Sequence, residues 1–301
     1  MNTDALREAL TQVIQDATRE DFEITGIDPV GGGCIHRAVQ VRGETADGKK
    51  SYFAKLNDAE KKKLFEAEKD GLSAIAGAGK VRVPGVVTIG DDGDEAWLVL
   101  EWLKLVPLDA LSGAALGLAL AAQHRLPQEK FGWARDNFIG ASPQVNGWSD
   151  DWLAFWREKR LHAQLRIAMQ KRLPSKMIHR GERLVTDCDA FFRTYVPAKS
   201  LLHGDLWGGN ASATADGVPV VFDPAVYVGD READLAMTQL FGGFPKEFHS
   251  AYRDAWTLDD GYRARRDFYN LYHILNHANL FAGDYVRQSE HLIEKVLAEI
   301  R

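Results

Sequence analysis

The spacing of apolar residues along this chain changes near Pro107, and that change constrains the fold more than any short motif. Before it, strand-like runs at 22–30, 35–42, 51–56, 81–89 and 96–105 are separated by turn residues such as Gly31-Gly32-Gly33 and Ala46-Asp47-Gly48. Two stretches in this part keep a helical period. One carries Leu6, Leu10, Val13, Ile14 and Ala17, with Thr3 as candidate N-cap; the other, at 60–76, carries Leu64, Phe65, Leu72 and Ile75. These patterns predict an N-terminal amphipathic helix and a five-stranded antiparallel sheet with one inserted helix. After Pro107 helical spacing takes over at 108–125, 150–171, 182–195, 231–241, 246–256, 263–281 and 285–300, with two short strand-like runs at 200–202 and 218–222. Such segregation is an α+β arrangement of two lobes meeting at a cleft. The expected boundaries are an N-lobe over 1–103 and a mainly helical C-lobe over 104–301, hinged at 101–107.

A chain of 301 residues can bury the core this arrangement needs, and 45% hydrophobic with 27% charged residues is the composition of an ordinary globular protein. Lys plus Arg number 37 against 43 Asp plus Glu, a net charge of −6, so no global positive field exists to condense on nucleic acid or anionic lipid. The longest apolar stretch, 110–122, falls short of the roughly 18 residues of a bilayer span and contains Ser112, Gly113 and Gly117. Two cysteines, Cys34 and Cys188, cannot build a disulfide framework, and Met1-Asn2-Thr3-Asp4 lacks the basic and apolar regions of a signal peptide. A cytoplasmic protein is expected.

The densest chemical signal is His203-Gly204-Asp205-Leu206-Trp207-Gly208-Gly209-Asn210, followed by an apolar run, Val218 to Phe222, that ends in Asp223. Phosphoryl transfer needs such groups. One Asp orients and deprotonates a hydroxyl, while an Asn and a second Asp hold Mg²⁺ on the nucleotide phosphates. Asp205 and Asn210 are five positions apart, as in the H-R-D-L-x-x-x-N loop. A polar turn would use the same residue types, but it does not require this combined spacing.

Upstream residues suit the same chemistry. Lys55 lies on a strand whose Tyr52, Ala54 and Leu56 point to the opposite face, so it needs an anionic partner. Glu68, four residues from both Leu64 and Leu72, places a carboxylate inside an apolar helical stripe. A Lys55–Glu68 pair presenting the ammonium to phosphates answers both anomalies, whereas two snorkelling surface charges are the plainer alternative. Glu66 is the internal control. Gly31-Gly32-Gly33 could let backbone amides approach phosphates, or could serve only as a turn; its place ahead of Lys55 favours the first.

Several segments together resemble the fructosamine (ketosamine) kinase family over nearly the whole chain. They are Gly31-Gly32-Gly33-Cys34-Ile35, Phe65-Glu66-Ala67-Glu68 with Gly71-Leu72, and Phe131-Gly132-Trp133 with Asp136-Asn137-Phe138-Ile139-Gly140. Pro143-Gln144, Asn146, Trp148 and Trp152 to Trp156 continue the likeness, as do the 203–210 segment and Asp223-Pro224-Ala225 running into Tyr227 to Met237. The resemblance implies a protein-kinase-like fold that uses ATP and Mg²⁺ to phosphorylate the 3-hydroxyl of a ketosamine, either a small molecule or a glycated protein lysine, in deglycation and repair. It further implies Asp205 as base, Asn210 and Asp223 as metal ligands, Lys55 with Glu68 at the phosphates, and the backbone from Glu101 to Leu103 at adenine. Trp207 is similar to the family's sugar-facing tryptophan, a planar apolar face suited to sugar C–H groups; packing under the loop is the alternative.

His36 stands where many relatives have Asn, as a neutral hydrogen-bonding group or a surface residue. His203 reads as an anchor of its loop, Glu232 and Asp234 as structural carboxylates at a helix start, and His273 with His277 as residues without metal context. Cys188 lies on an apolar stripe and reads as inert, whereas Cys34 is either a redox-responsive thiol, with a redox-dependent homodimer, or a small residue filling the turn. An aminoglycoside- or choline-type kinase shares the 203–210 signal. A redox-sensing pseudokinase predicts loss of Lys55, Asp205, Asn210 or Asp223, and all four are present.

Overall fold

The computed structural model describes residues 3–31 and 35–300. Helix α1 (Thr3–Thr18) buries Leu6, Leu10 and Ile14 at four-residue spacing; the Thr3 side chain, the candidate cap, lies outside the described residues. Strands β1 (Glu23–Pro29), β2 (Arg37–Thr45) and β3 (Gly48–Asp58) form an antiparallel meander. Helix α2 (Lys62–Ala78) precedes β4 (Val86–Asp91) and β5 (Glu95–Glu101), which complete a five-stranded sheet in the order β1-β2-β3-β5-β4.

Strand alternation gives this sheet two different faces. Tyr52, Ala54, Leu56, Trp97 and Val99 pack with Phe22 under α1, while Ala96, Leu98 and Leu100 pack on Phe65, Leu72 and Ile75 of α2. The second cluster continues into Leu116 and Leu120 of the following helix, so it joins the sheet to the helical region. Burying each such side chain is worth about 1.5–3 kcal/mol.

The chain then runs through β6 (Leu105–Val106) and α3 (Ala110–His124), the latter started by a capping box between Asp109 and Ser112. A hairpin of β7 (Asn137–Ile139) and β8 (Ser142–Gln144) leads to α4 (Trp152–Trp156), a π-helical turn (Arg157–Leu161), α5 (His162–Gln170) and α6 (Ser175–Asp187). Strands β9 (Lys199–Leu202), β10 (Ala211–Thr214), β11 (Pro219–Val221) and β12 (Tyr227–Asp230) precede helices α7 (Arg231–Leu240), α8 (Lys246–Ala255), α9 (Tyr262–Phe281) and α10 (Asp284–Glu299). A core of Trp156, Phe268, Tyr269, Leu275, Leu184 and Ile293 unites the later helices. The α+β class therefore stands.

Four expectations need correction. The strand expected at 96–105 ends at Glu101, and Leu105–Val106 pairs with β10 in a separate sheet. The helix expected at 182–195 begins at Ser175, directly after Pro174, because its stripe starts at Met177 and Ile178, and residues Cys188–Phe192 tighten into a 3₁₀ turn. The region after Pro107 holds more strands than the two expected; β7, β8, β10 and β12 are three or four residues long, too short to display a period of two. The strand expected at 81–89 starts only at Val86, since Val81 and Val83 leave the sheet to pack among residues of the helical region and Arg82 bridges to Val220. Cys188 is buried as expected, and burial pushes its thiol pKa up.

Candidate active site

Register brings the two carboxylates together. Strand β10 pairs with β11 so that Ala211 opposes Val221, and the Phe222 N–H donates to the Asn210 carbonyl at 3.1 Å. The loop 203–210 and Asp223 are thereby neighbours. Asn210 Nδ2 donates to the Asp205 carbonyl (2.9 Å) and to Asp205 Oδ2 (3.3 Å), which turns Asn210 Oδ1 away as an acceptor. Burial first, and the charge of Asp223 second, push the Asp205 carboxyl up to about 7, against the hydrogen bond from Asn210.

The loop is pinned from behind. Asp234 accepts the His203 N–H (2.7 Å) and the Gly204 N–H (2.9 Å), and its Oδ2 also meets His124 Nε2 (3.2 Å), whose Nδ1 contacts the Tyr252 hydroxyl (2.9 Å). Burial pushes the Asp234 carboxyl up, but the hydrogen bond and charge of His124, with the Gly204 N–H, outweigh it and leave Asp234 below the usual range. His203 Nε2 donates to the Phe222 carbonyl (3.0 Å) and Nδ1 accepts from the Asp205 N–H (3.3 Å), the pattern of a neutral ring that burial enforces. Gly204 has φ 83°, and a Cβ there would strike the Ala225 carbonyl.

Lys55 enters from β3. Its Nζ lies 2.7 Å from Glu68 Oε1 and 2.5 Å from Asp223 Oδ1, so the expected pair exists and includes a third member from across the cleft. Burial would lower the Lys55 pKa, but Asp223 and Glu68 hold it above the usual lysine value. Burial raises the Glu68 pKa against the pull of Lys55. Glu66, the control, is exposed. Asp223 has φ 56°, a left-handed conformation, and keeps 45% of its side chain exposed.

His36 Nδ1 contacts Asn57 Nδ2 (2.8 Å) and its ring lies 4.7 Å from Phe65; burial, then the Lys55 charge, lowers its pKa to about 4, so it is neutral. Gly31 is open to solvent, while Gly32, Gly33 and Cys34 lie outside the described residues. The Glu101 N–H donates to the Gly85 carbonyl (2.8 Å) and its carboxylate binds Arg82 (2.9 Å), whereas the Leu103 N–H finds no backbone acceptor among the described residues. Trp207 is 38% exposed, and its indole lies across Gly209 so closely that only glycine fits there.

Sequence reasoning missed His124, Tyr252 and an aromatic row beside Trp207. Phe241 stands 6.1 Å from Trp207, His277 5.1 Å from Phe241, and Phe281 and Tyr285 lie 5.7 and 4.9 Å from His277. His277 and Phe281 share a face of α9 at i, i+4, a signal that was legible in the sequence. Asp234 was read as a carboxylate complementing a helix dipole; its main partners are loop amides instead.

The donor set suits Mg²⁺. Asn210 Oδ1 and the Asp223 carboxylate are hard oxygens, and that ion uses one or two protein oxygens completed by phosphates and water. Among the described residues no group of three or more His, Cys, Asp or Glu could hold a metal unaided. No helix is long and apolar enough to cross a membrane.

Known proteins share the sequence pattern and the fold of this chain. The family model described as fructosamine kinase matches residues 6–299. A probable ketoamine kinase from Synechocystis is 39% identical, with 99% of each chain covered. The crystal structure of a candidate fructosamine-3-kinase from Haemophilus somnus superposes with a TM-score of 0.86 at 28% identity over 96% of both chains. The gentamicin complex of APH(2″)-IIa shares the kinase-like fold, with a TM-score of 0.59 at 14% identity over 100% of this chain and 96% of that one.

Proposed function

This chain belongs to the fructosamine kinase family, and from that premise we propose that it transfers the γ-phosphoryl group of ATP to the 3-hydroxyl of a ketosamine. The observation that carries the reading is the convergence of Asp205, Asn210 and Asp223 on one side of the cleft with the Lys55–Glu68 pair on the other.

Asp205 accepts the hydroxyl proton as O3 attacks the γ-phosphorus, the bond to the β–γ bridging oxygen breaks, and ADP leaves. Burial, which raises the Asp205 carboxyl above the ordinary carboxylate range, makes it a stronger base for that task. Lys55, oriented by Glu68, meets the phosphates. Asn210 and Asp223 would hold Mg²⁺, which supplies charge neutralisation on the phosphates when bound. The Glu101 to Leu103 backbone receives adenine, and the exposed face of Trp207 takes the sugar, with the aromatic row beyond it toward the amine. A phosphate on O3 is an allylic leaving group in the 1,2-enaminol tautomer of the product. Its loss, followed by imine hydrolysis, frees the amine, which supports a deglycation role.

The test is ATP-dependent phosphorylation of a panel of ketosamines and aminoglycosides, with the phosphate position read by NMR. Phosphate on O3 of a ketosamine is expected; transfer to aminoglycosides alone would replace the reading.

A further inference from the structure

The segment 131–149 supplies none of the reacting groups, yet it grips the backbone that follows Asp223. Gly132 and Val228 exchange two backbone hydrogen bonds of 2.8 Å. Asn137 Nδ2 donates to the Val226 carbonyl (2.8 Å) and Gln144 Nε2 to the Ala225 carbonyl (3.0 Å). From the other side, His203 holds the Phe222 carbonyl and accepts the Ala225 N–H at 2.8 Å. Asp223 stands between these anchors at φ 56°. A residue with a Cβ keeps that conformation only where its surroundings over-determine it.

An amide side chain can face either way, and only one sense puts Asn137 Nδ2 on Val226. Arg160 stands at the far end of the side-chain hydrogen bonds that reach Asn137. It is completely buried in the π-helical turn, stacked 4.0 Å from the Tyr227 ring centre and 4.7 Å from that of Phe155, and it meets no carboxylate among the described residues. Its guanidinium donates to the Val145 carbonyl (2.6 Å) and to Asn146 Oδ1 (2.9 Å). Because a guanidinium can only donate, Arg160 favours the sense in which Asn146 turns its oxygen toward it and its Nδ2 toward Asn137 Oδ1 (2.8 Å), a sense that the Arg135 carbonyl, 3.1 Å from the same Nδ2, also supports. Gln144 Nε2 donates to the same Oδ1 (2.8 Å), and Tyr272 holds the Gln144 oxygen (2.8 Å). Asn137 Nδ2 is then left for Val226.

We infer that Arg160 is a positioning residue: it sets the direction of a hydrogen-bond chain, through Asn146 and Asn137 to the Val226 carbonyl, that holds Asp223 in its left-handed conformation for metal and nucleotide. The inference rests on the reading of Asp223 as a metal ligand.

The experiment is calorimetric binding of a non-hydrolysable ATP analogue to the full chain, with Mn²⁺ and with EDTA, alongside the melting temperature. Asn137→Asp keeps the size and the acceptor but presents oxygen to Val226; Arg160→Gln offers both senses; Arg160→Lys keeps a donor-only cation. Asn137→Asp and Arg160→Gln are expected to lose about tenfold of the Mn²⁺-dependent gain in affinity, the scale of one broken buried hydrogen bond, with metal-free binding unchanged. Arg160→Lys should recover most of the gain. If those two fail to fold, Gln144→Met, which deletes the donor to Ala225, carries the same expectation. Retention of the full gain, a parallel loss of metal-free binding, or no advantage of Lys over Gln overturns the inference. A wild-type protein with no Mn²⁺ gain overturns the metal reading of Asp223, and the inference with it.

Discussion

Lys55 and Asp205 approach the same cleft but are fixed by different means. Lys55 extends from a strand and is held at its tip by the carboxylates of Glu68 and Asp223. The loop of Asp205 is held through main-chain groups, with Asp234 on the amides of His203 and Gly204, and His203 on the carbonyl of Phe222. An ion pair at the end of flexible side chains can be remade when α2 or a nucleotide moves. A backbone held by buried acceptors cannot shift without leaving N–H groups unpaired. Substitutions of the groups that face the cleft and of the buried anchors behind the loop should therefore separate into losses of rate and losses of stability.

The largest effect is expected at Asp205, where Asn substitution should lower kcat by about 10²–10⁴ with ATP binding retained. Near-normal turnover of folded protein would remove it from the base role. On the structural side, Asp234→Ala leaves two buried amides and His124 without their acceptor and should cost about 3–5 kcal/mol in urea unfolding. A loss of turnover at unchanged stability would erase the proposed contrast. A double-mutant cycle of Lys55→Met and Glu68→Gln on kcat/KM should show coupling of about 0.5–3 kcal/mol, while additive losses would mean that Asp223 alone orients the lysine. Smallest of all, Glu66→Ala should stay within about 0.5 kcal/mol in stability, and a larger shift would show that α2 is held by more than its buried stripe.

The side held by side-chain charges was the more legible one. Lys55 and Glu68 each violate the apolar pattern of a local element, and two violations of opposite charge point to one another. The main-chain side was legible in its candidate reactive residues and in His203, read as the anchor of its loop. Asp205 and Asn210 share one loop, so their spacing is chemical information. His124 and Asp234 are 110 positions apart, and Asn137 and Val226 are 89 apart; nothing local at either end names its partner. The glycines at 32 and 33 and Cys34 lie outside the described residues, so their part in the nucleotide site stays an expectation from sequence.

Sequence alone determined the α+β order, because hydrophobic period is a local property of each element, and it supplied the candidate reactive groups, because side-chain chemistry needs no neighbours to be recognised. Tertiary structure decided which carbonyl each buried amide grips, how Arg160 orients them, and that Lys55 spans from Glu68 to Asp223. Those choices depend on a three-dimensional pairing of donors with acceptors in a low-dielectric interior, where an unpaired polar group is costly and the chain separation between partners is arbitrary.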